Sequence, residues 1–180
     1  MKSLLSVIVL IIICASCRKE VSQQEKFSTF FNTIPDLKLP FITDSGEDLQ
    51  AVFYPDTIYN EFVGDNVYGI YGKTKINDSI FGIVYLNPGD IVFPLLVTYN
   101  STGKKIDELA LLNLPGGSSG YNANGISYLV MKSNLEIQIT DSVNTFERDS
   151  LEEIIETSRK TEVMIENYKV NGVGKIIAHD

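Results

Sequence analysis

The chain has 180 residues, of which 44% are hydrophobic and 21% are charged, and its net charge at pH 7 is −8. The length fits one globular domain with one core, and the composition argues against disorder throughout the chain. An acidic protein repels phosphate backbones, so nucleic-acid binding is disfavoured. The two cysteines, Cys14 and Cys17, lie near the N-terminus, so no disulfide is expected in the globular part.

The N-terminal segment has the three parts of a secretory signal. Lys2 is followed by an almost wholly apolar run at residues 4–13, and the small residues Ala15 and Ser16 then precede Cys17. A membrane-spanning helix needs about 20 apolar residues, so a transmembrane anchor is the less favoured reading of this short run. The segment therefore predicts export of the chain.

The residues Ala15-Ser16-Cys17 resemble the lipobox of bacterial lipoproteins, although Cys14 stands where that family usually has an aliphatic residue. The resemblance implies a signal peptide at residues 1–16, cleaved before Cys17. It also implies that Cys17 carries a diacylglyceryl thioether and an N-acyl chain such as palmitate. Several acyl chains anchor a protein stably. The alternative is a plain secretory signal that leaves Cys17 free.

The charged residues 18–20 follow the lipobox directly. A cysteine followed by such a cluster resembles the surface-export signals of Bacteroidota lipoproteins, and the chain lacks the Asp that retains many lipoproteins at the inner membrane. The expected location is therefore the cell envelope, lipid-anchored at the outer membrane, on its periplasmic or surface face. The alternative is that these charged residues are simply part of a solvated tether. The predicted divisions are the signal peptide, Cys17 and a polar tether over 17–26, and one β-rich domain over 27–180.

A short amphipathic helix is predicted at the start of the domain. Four large apolar residues follow helical spacing: Phe27, Phe30, Phe31 and Ile34. Ser22 can cap the N-terminus of this helix, and Pro35 ends it. The prediction is a helix over Gln23–Thr33.

After Pro40 the pattern changes to strands separated by turn residues. The predicted strands cover residues 67–76, 79–86, 91–99, 105–114, 126–132, 135–140, 151–170 and 174–178. The region 151–170 also has some helical character, and Pro94 suggests an edge strand or a bulge. Short turns between consecutive strands predict a mainly β fold, an antiparallel meander with one N-terminal helix, as a curved sheet, a sandwich or a barrel.

Three segments resemble small uncharacterised envelope lipoproteins of Bacteroidota. They are FSTFFNTIPDLKLPF, LLVTYNSTGKKIDELALL and YKVNGVGKI. The resemblance implies an envelope protein of unknown role, and it carries no catalytic residue over to this chain.

The chain has few of the side chains that usually support catalysis. The single histidine, His179, is the penultimate residue, a position that is usually mobile, and lipidation would leave no free thiol. We therefore expect no metal, no cofactor and no enzymatic activity. Carboxylates are the remaining catalytic option, and the candidates are Asp107, Glu108, Glu152, Glu153 and Glu156. The Gly-rich residues 115–125 lack the pattern of a phosphate-binding loop, but they could form a recognition surface.

One short motif recurs as Asp, a hydroxyl residue and an aliphatic residue. It resembles the O-glycosylation sequon of Bacteroidota envelope proteins, which implies four acceptors: Thr57, Ser79, Ser142 and Ser150. The alternative is that Asp-Ser is ordinary turn chemistry that leads into a strand.

The expected function is a non-enzymatic, membrane-anchored lipoprotein that binds an envelope protein, a glycan or a lipid through its sheet face or its loops. Two alternatives stay open. A small carboxylate-dependent hydrolase would need two buried acids that face each other across a cleft. A carrier of an apolar ligand would need a closed sheet around a large apolar cavity.

Overall fold

The computed structural model describes residues 21–45, 48–52, 61–63, 69–87, 93–112 and 123–179. Within these residues, helix α1 covers Gln23–Thr33. Nine strands follow: β1 (Phe41–Asp44), β2 (Gly69–Lys75), β3 (Ile80–Asn87), β4 (Phe93–Asn100), β5 (Lys105–Ala110), β6 (Ala123–Met131), β7 (Glu136–Arg148), β8 (Ile154–Val170) and β9 (Ile176–Ala178). The prediction of a mainly β fold with one short N-terminal helix is confirmed.

Helix α1 has the predicted limits because its ends are specified locally. The Ser22 hydroxyl accepts a hydrogen bond from the Glu25 amide, and the Glu25 carboxylate accepts one from the Ser22 amide, which is a capping box. Ile34 is the extended C-cap. Residues 23–26, which the predicted tether over 17–26 also includes, form the first turn of α1.

The strands form two separate antiparallel sheets. The four-stranded sheet has the order β2-β3-β4-β5, and the five-stranded sheet has the order β1-β6-β7-β8-β9. Within each sheet, the consecutive strands from β2 to β5 and from β6 to β9 pair as the predicted meander. Strand β1, which the sequence pattern did not reveal, adds to the side of β6. Of the three architectures left open, this arrangement is sandwich-like.

The main core lies between the two sheets. It contains alternate residues of β3, β4, β1, β6 and β7: Val84, Leu86, Leu96, Phe41, Leu129, Met131, Ile137 and Ile139. The alternation predicted for β7 is therefore observed, because Ile137 and Ile139 are buried while Gln138 faces the other way and is exposed.

A second core lies on the other side of the four-stranded sheet. Ile83, Tyr85, Val97 and Tyr99 point away from the five-stranded sheet and pack against Phe27, Phe30 and Phe31 of α1. The layers are thus the helix, the four-stranded sheet and the five-stranded sheet. The four-stranded sheet is covered on both faces, which explains the nearly continuous burial of β3 and β4.

The environment of Pro94 differs from the prediction made for its strand. Pro94 suggested an edge strand or a bulge, but β4 is an interior strand that pairs with both β3 and β5, and the shift in its pairing with β5 lies at Thr98 and Tyr99 rather than at Pro94. The Pro94 carbonyl accepts from the Leu111 amide, so this residue faces the β5 side of the strand. Proline is tolerated there because regular pairing with β5 begins only at Leu95 and Ala110.

Candidate functional site

The five-stranded sheet has one face that no described residue covers, and we call it the outer face. Its apolar side chains come from β1, β6, β8 and β9: Ile42, Ile126, Tyr128, Val130, Val163, Ile165 and Ile177. They alternate along the strands with residues that point to the opposite side of the sheet. Tyr128 is 46% exposed and Ile165 is 58% exposed, although both lie on regular strands. The apolar side chains of β6 and β8 lie on either side of a polar row on β7, formed by Gln138, Thr140 and Ser142. An exposed surface that mixes apolar and polar side chains in this way is suited to binding a partner.

Polar side chains form cross-strand pairs within the same face. Gln138 Nε2 donates to Asn167 Oδ1 at 3.1 Å. Asn144 donates to Asn124 Oδ1 at 3.1 Å, and its own Oδ1 accepts from the Thr161 hydroxyl at 2.7 Å. Amides and hydroxyls thus alternate with apolar side chains across the sheet. The outer face can therefore offer both apolar contact and hydrogen bonds to a ligand.

A shallow pocket of about 320 Å³ lies at the β9 side of the outer face, lined by Glu136, Lys169, Asn171, Ile177 and His179. The Glu136 carboxylate is 3.2 Å from Lys132 Nζ and 3.4 Å from Lys169 Nζ. Hydrogen bonds with the side chains of Asn134, Lys132 and Lys169 lower the pKa of Glu136 to about 2. The pocket therefore contains a carboxylate that stays ionised and is already paired with two cations.

His179 is placed in this pocket by backbone pairing. Its amide donates to the Asn167 carbonyl at 2.9 Å, which continues the pairing of β9 with β8. The sequence analysis treated His179 as a usually mobile penultimate residue. It could not include this hydrogen bond, because the local sequence does not show which distant residues pair.

A second pocket, of about 360 Å³, lies beside the aromatic core under α1, and Phe62, Leu95 and Val97 contribute to its lining. The Tyr85 and Tyr99 hydroxyls also reach it. They lie 2.9 Å apart, and Tyr99 donates to the Phe62 carbonyl at 3.2 Å. Burial raises the pKa of Tyr99 to about 12, so this hydroxyl stays protonated and holds the Phe62 backbone.

A buried polar cluster lies on the core side of the five-stranded sheet. The Ser127 hydroxyl donates to Asp141 Oδ1, and Ser45 Oγ accepts from the Ser127 amide at 3.1 Å. Asp141 is 5% exposed and is the one buried carboxylate among the described residues. Sequence reasoning missed this burial, although Asp141 is in phase with Ile137 and Ile139 along β7.

The carboxylates proposed for catalysis lie apart from this cluster. Asp107 accepts from the Ile176 amide at 3.2 Å and pairs with Lys175 at 3.6 Å. Partial burial raises the pKa of Asp107, but hydrogen bonds from the Ile176 and Glu108 amides, together with Lys175, outweigh this effect and lower it. Glu108 pairs with Lys105 at 2.6 Å.

The other three acids, Glu152, Glu153 and Glu156, are exposed in and beside the β7–β8 turn. The structure therefore does not join the predicted acids across a cleft.

The described glycosylation candidates differ in accessibility. Ser79 is exposed in the β2–β3 turn, and Ser150 is exposed in the β7–β8 turn. Ser142 is half-buried in the middle of β7, next to the buried Asp141. Thr57 lies outside the described residues, as do Cys17 and all of residues 1–20. Most of the Gly-rich loop at 115–125 also lies outside them.

Three further findings bear on function. Within the described segments, no helix is long and apolar enough to cross a membrane, and no group of three or more His, Cys, Asp or Glu side chains could hold a metal ion. No family model, no curated protein and no solved structure matches this chain. The function must therefore be argued from the residues and geometry of this chain.

Proposed function

We propose that this chain is a membrane-anchored envelope lipoprotein, on the outer membrane, that acts as a non-enzymatic binding module. Its partner is an envelope protein, a glycan or a lipid, and the binding surface is the outer face. The observation that carries the proposal is the exposure of Tyr128, Val163 and Ile165 on regular strands of a face that no described residue covers.

The chemistry of the outer face supports binding. Burying one exposed aliphatic side chain contributes about 1.5–3 kcal/mol, so a ligand that covers several of them gains substantial free energy. Tyr128 lies opposite Thr140, which in turn lies opposite Ile165, so an aromatic ring, a hydroxyl and an aliphatic group form one row across the sheet. Tyrosine suits such surfaces because its ring is apolar and its hydroxyl is polar.

The anchor supports a location close to the membrane. If Cys17 is lipidated, only a few residues separate it from the Ser22 cap of α1. Fully extended, that segment reaches about 17 Å. The domain would therefore lie next to the bilayer, where a partner in the same membrane is at high local concentration.

The two alternatives receive less support. The hydrolase alternative needs two facing acids, whereas Asp141 is buried beside a serine hydroxyl and the predicted acids pair with lysines or lie in turns. The carrier alternative needs a large apolar cavity in a closed sheet, whereas the space between the two sheets is occupied by core side chains.

The anchor is tested by metabolic acyl labelling and detergent partitioning. Cys17→Ala should abolish both, and Cys14→Ala should preserve both because the lipobox cysteine is Cys17. Unchanged labelling of Cys17→Ala would contradict the anchor.

The binding surface is tested by charge insertion. Tyr128→Asp and Ile165→Asp place charges on the outer face, whereas Leu151→Asp and Val173→Asp change exposed apolar residues in turns and serve as controls. We expect the first pair to lose the envelope components that co-purify with the native chain and the control pair to keep them. Equal retention by all four variants would contradict outer-face binding.

A further inference from the structure

Strand β8 has a long edge with which few of the described residues form backbone pairs. It pairs with β7 along one side, whereas β9 pairs with its other side only at residues 168–170, and His179 adds one hydrogen bond at Asn167. Elsewhere on this edge no described residue pairs with β8. An open edge presents backbone donors and acceptors that can bind another strand.

The hydrogen-bond directions identify which residues face this edge. The Asn167 carbonyl points to the β9 side, whereas the Val170 amide bonds to Leu135 on the β7 side. Because directions alternate along an antiparallel strand, the backbone groups of Thr161, Val163 and Ile165 also point to the open edge. These three residues present three N–H groups and three carbonyls.

The regular part of the open edge is bounded at both ends. At one end, Asn167 is bonded to His179. At the other, the pairing with β7 shifts from Lys160 opposite Thr145 to Ile155 opposite Glu147, so residues 156–159 form a bulge that interrupts the regular pairing. The regular segment between these two ends is residues 160–166, all exposed, with Val163 at its midpoint, and no described strand pairs with the backbone groups of Thr161, Val163 and Ile165 on the open edge.

We propose that this segment pairs antiparallel with the same segment of a second copy of the chain, about a two-fold axis at Val163. Val163 then lies opposite Val163 of the partner subunit, and Thr161 lies opposite Ile165 of the partner subunit. Lys160 lies opposite Glu166 of the partner subunit, and symmetry repeats this ion pair. All six open-edge backbone groups acquire partners.

Charge complementarity selects this register over its neighbours. A shift of two residues in one direction places Glu162 opposite Glu162 of the partner subunit. The same shift in the other direction places Glu162 opposite Glu166 of the partner subunit, twice. Like charges directly opposite each other destabilise strand pairs. Only the register centred on Val163 pairs the whole of residues 160–166 and places unlike charges opposite each other.

The competing interpretation is a protected edge, since lysine, inward-pointing acids and a bulge are also the devices that keep edge strands apart. The two interpretations give different oligomeric states. The dimer does not rest on the outer-face proposal, but it would join two outer faces side by side in one continuous sheet.

A charge swap tests the pairing. The full chain in detergent should show a concentration-dependent dimer by sedimentation velocity. Lys160→Glu and Glu166→Lys should each weaken association at least tenfold, and the double variant should restore it, because it reverses both ion pairs. Lys104→Glu and Glu153→Lys change exposed residues outside the segment and should leave association unchanged. Circular dichroism checks that each variant is folded.

Cysteine cross-linking tests the register. In the proposed pair the Val163 Cα atoms are about 5.5 Å apart, within disulfide range. Val163→Cys should cross-link on mild oxidation. Thr161→Cys alone should not, because its two copies would be about 14 Å apart, but a mixture of Thr161→Cys with Ile165→Cys should. The unmodified chain, treated in parallel, controls for Cys14 and Cys17.

Two results would overturn the proposal. One is a monomer at every concentration, which would establish β8 as a protected edge. The other is a dimer that both single charge variants leave intact, or that cross-links equally at residues 161 and 163. Either result would leave the Cys17→Ala test of the anchor and the Tyr128→Asp test of the outer face unaffected, because neither residue lies on β8.

Discussion

The Tyr85 and Tyr99 hydroxyls are hydrogen-bonded to each other at 2.9 Å within the aromatic core under α1. Tyr99 also donates to the Phe62 carbonyl, so one phenol connects β3, β4 and the segment that carries Phe62. Buried polar groups of this kind stabilise a fold only while each finds its partner.

Tyr99→Phe should therefore lower the free energy of unfolding by about 1–3 kcal/mol, because it leaves the Phe62 carbonyl without its donor. Urea unfolding followed by circular dichroism measures the change. Tyr128→Phe removes an exposed hydroxyl and should change stability by no more than about 0.5 kcal/mol. Equal effects of the two substitutions would show that the buried hydrogen bonds contribute nothing.

Gly103→Ala should destabilise the protein by about 2–4 kcal/mol. Gly103 has a φ of +77°, and a Cβ there would lie 2.5 Å from Phe62 Cε1 and 2.7 Å from Phe27 Cδ2. Gly172→Ala is the matched control, since a Cβ at that position meets no atom within 4 Å. Thermal unfolding of both variants should separate them by several degrees, and similar melting temperatures would contradict the packing of α1 described above.

Glu136 should make stability fall at acid pH. Its pKa is lowered from 4.5 to about 2 in the folded protein, so its stabilising contribution is present above pH 4.5 and is lost as pH falls toward 2. The effect should be small because the carboxylate is partly exposed to solvent, which screens its interactions. Urea midpoints measured from pH 5 to pH 2.5 should fall less steeply for Glu136→Gln than for Glu153→Gln. Parallel curves would disprove the contribution.

If the chain is O-glycosylated, occupancy should follow accessibility. Ser79 and Ser150 are exposed in turns, whereas Ser142 is half-buried on a central strand. Intact-mass and peptide analysis of the native protein should find glycan on Ser79 or Ser150 and none on Ser142. Glycan at Ser142 with bare turn serines would contradict this order.

Local signals predicted α1 well. The spacing of Phe27, Phe30 and Phe31 requires a helical period, and Ser22 with Glu25 specifies the first turn, so both the element and its limits follow from neighbouring residues. The hairpin at residues 133–134 was equally clear in the sequence. Its turn residues separate a largely apolar strand, 126–132, from a strand with alternating apolar and polar residues, 135–140.

The layering could not be predicted in this way. Pairing of β1 with β6 joins residues about ninety positions apart, and no local pattern specifies it. The sequence of β6 does indicate the outer face. This strand has apolar residues on both of its faces, although only one face is needed to form a core. The burial of Asp141 also agreed with the β7 alternation, but its acidic side chain suggested a surface position.

Binding of a partner through the outer face, as proposed above, is tested by site-specific photo-cross-linking in the native envelope. A photoreactive residue is placed at Tyr128 or Ile165 on this face and at Lys104 or Leu151 elsewhere on the surface. We expect one discrete product at the first two positions and none at the last two, and we expect Ile42→Asp to weaken that product. Products of equal yield at all four positions, or products only at Lys104 or Leu151, would contradict it.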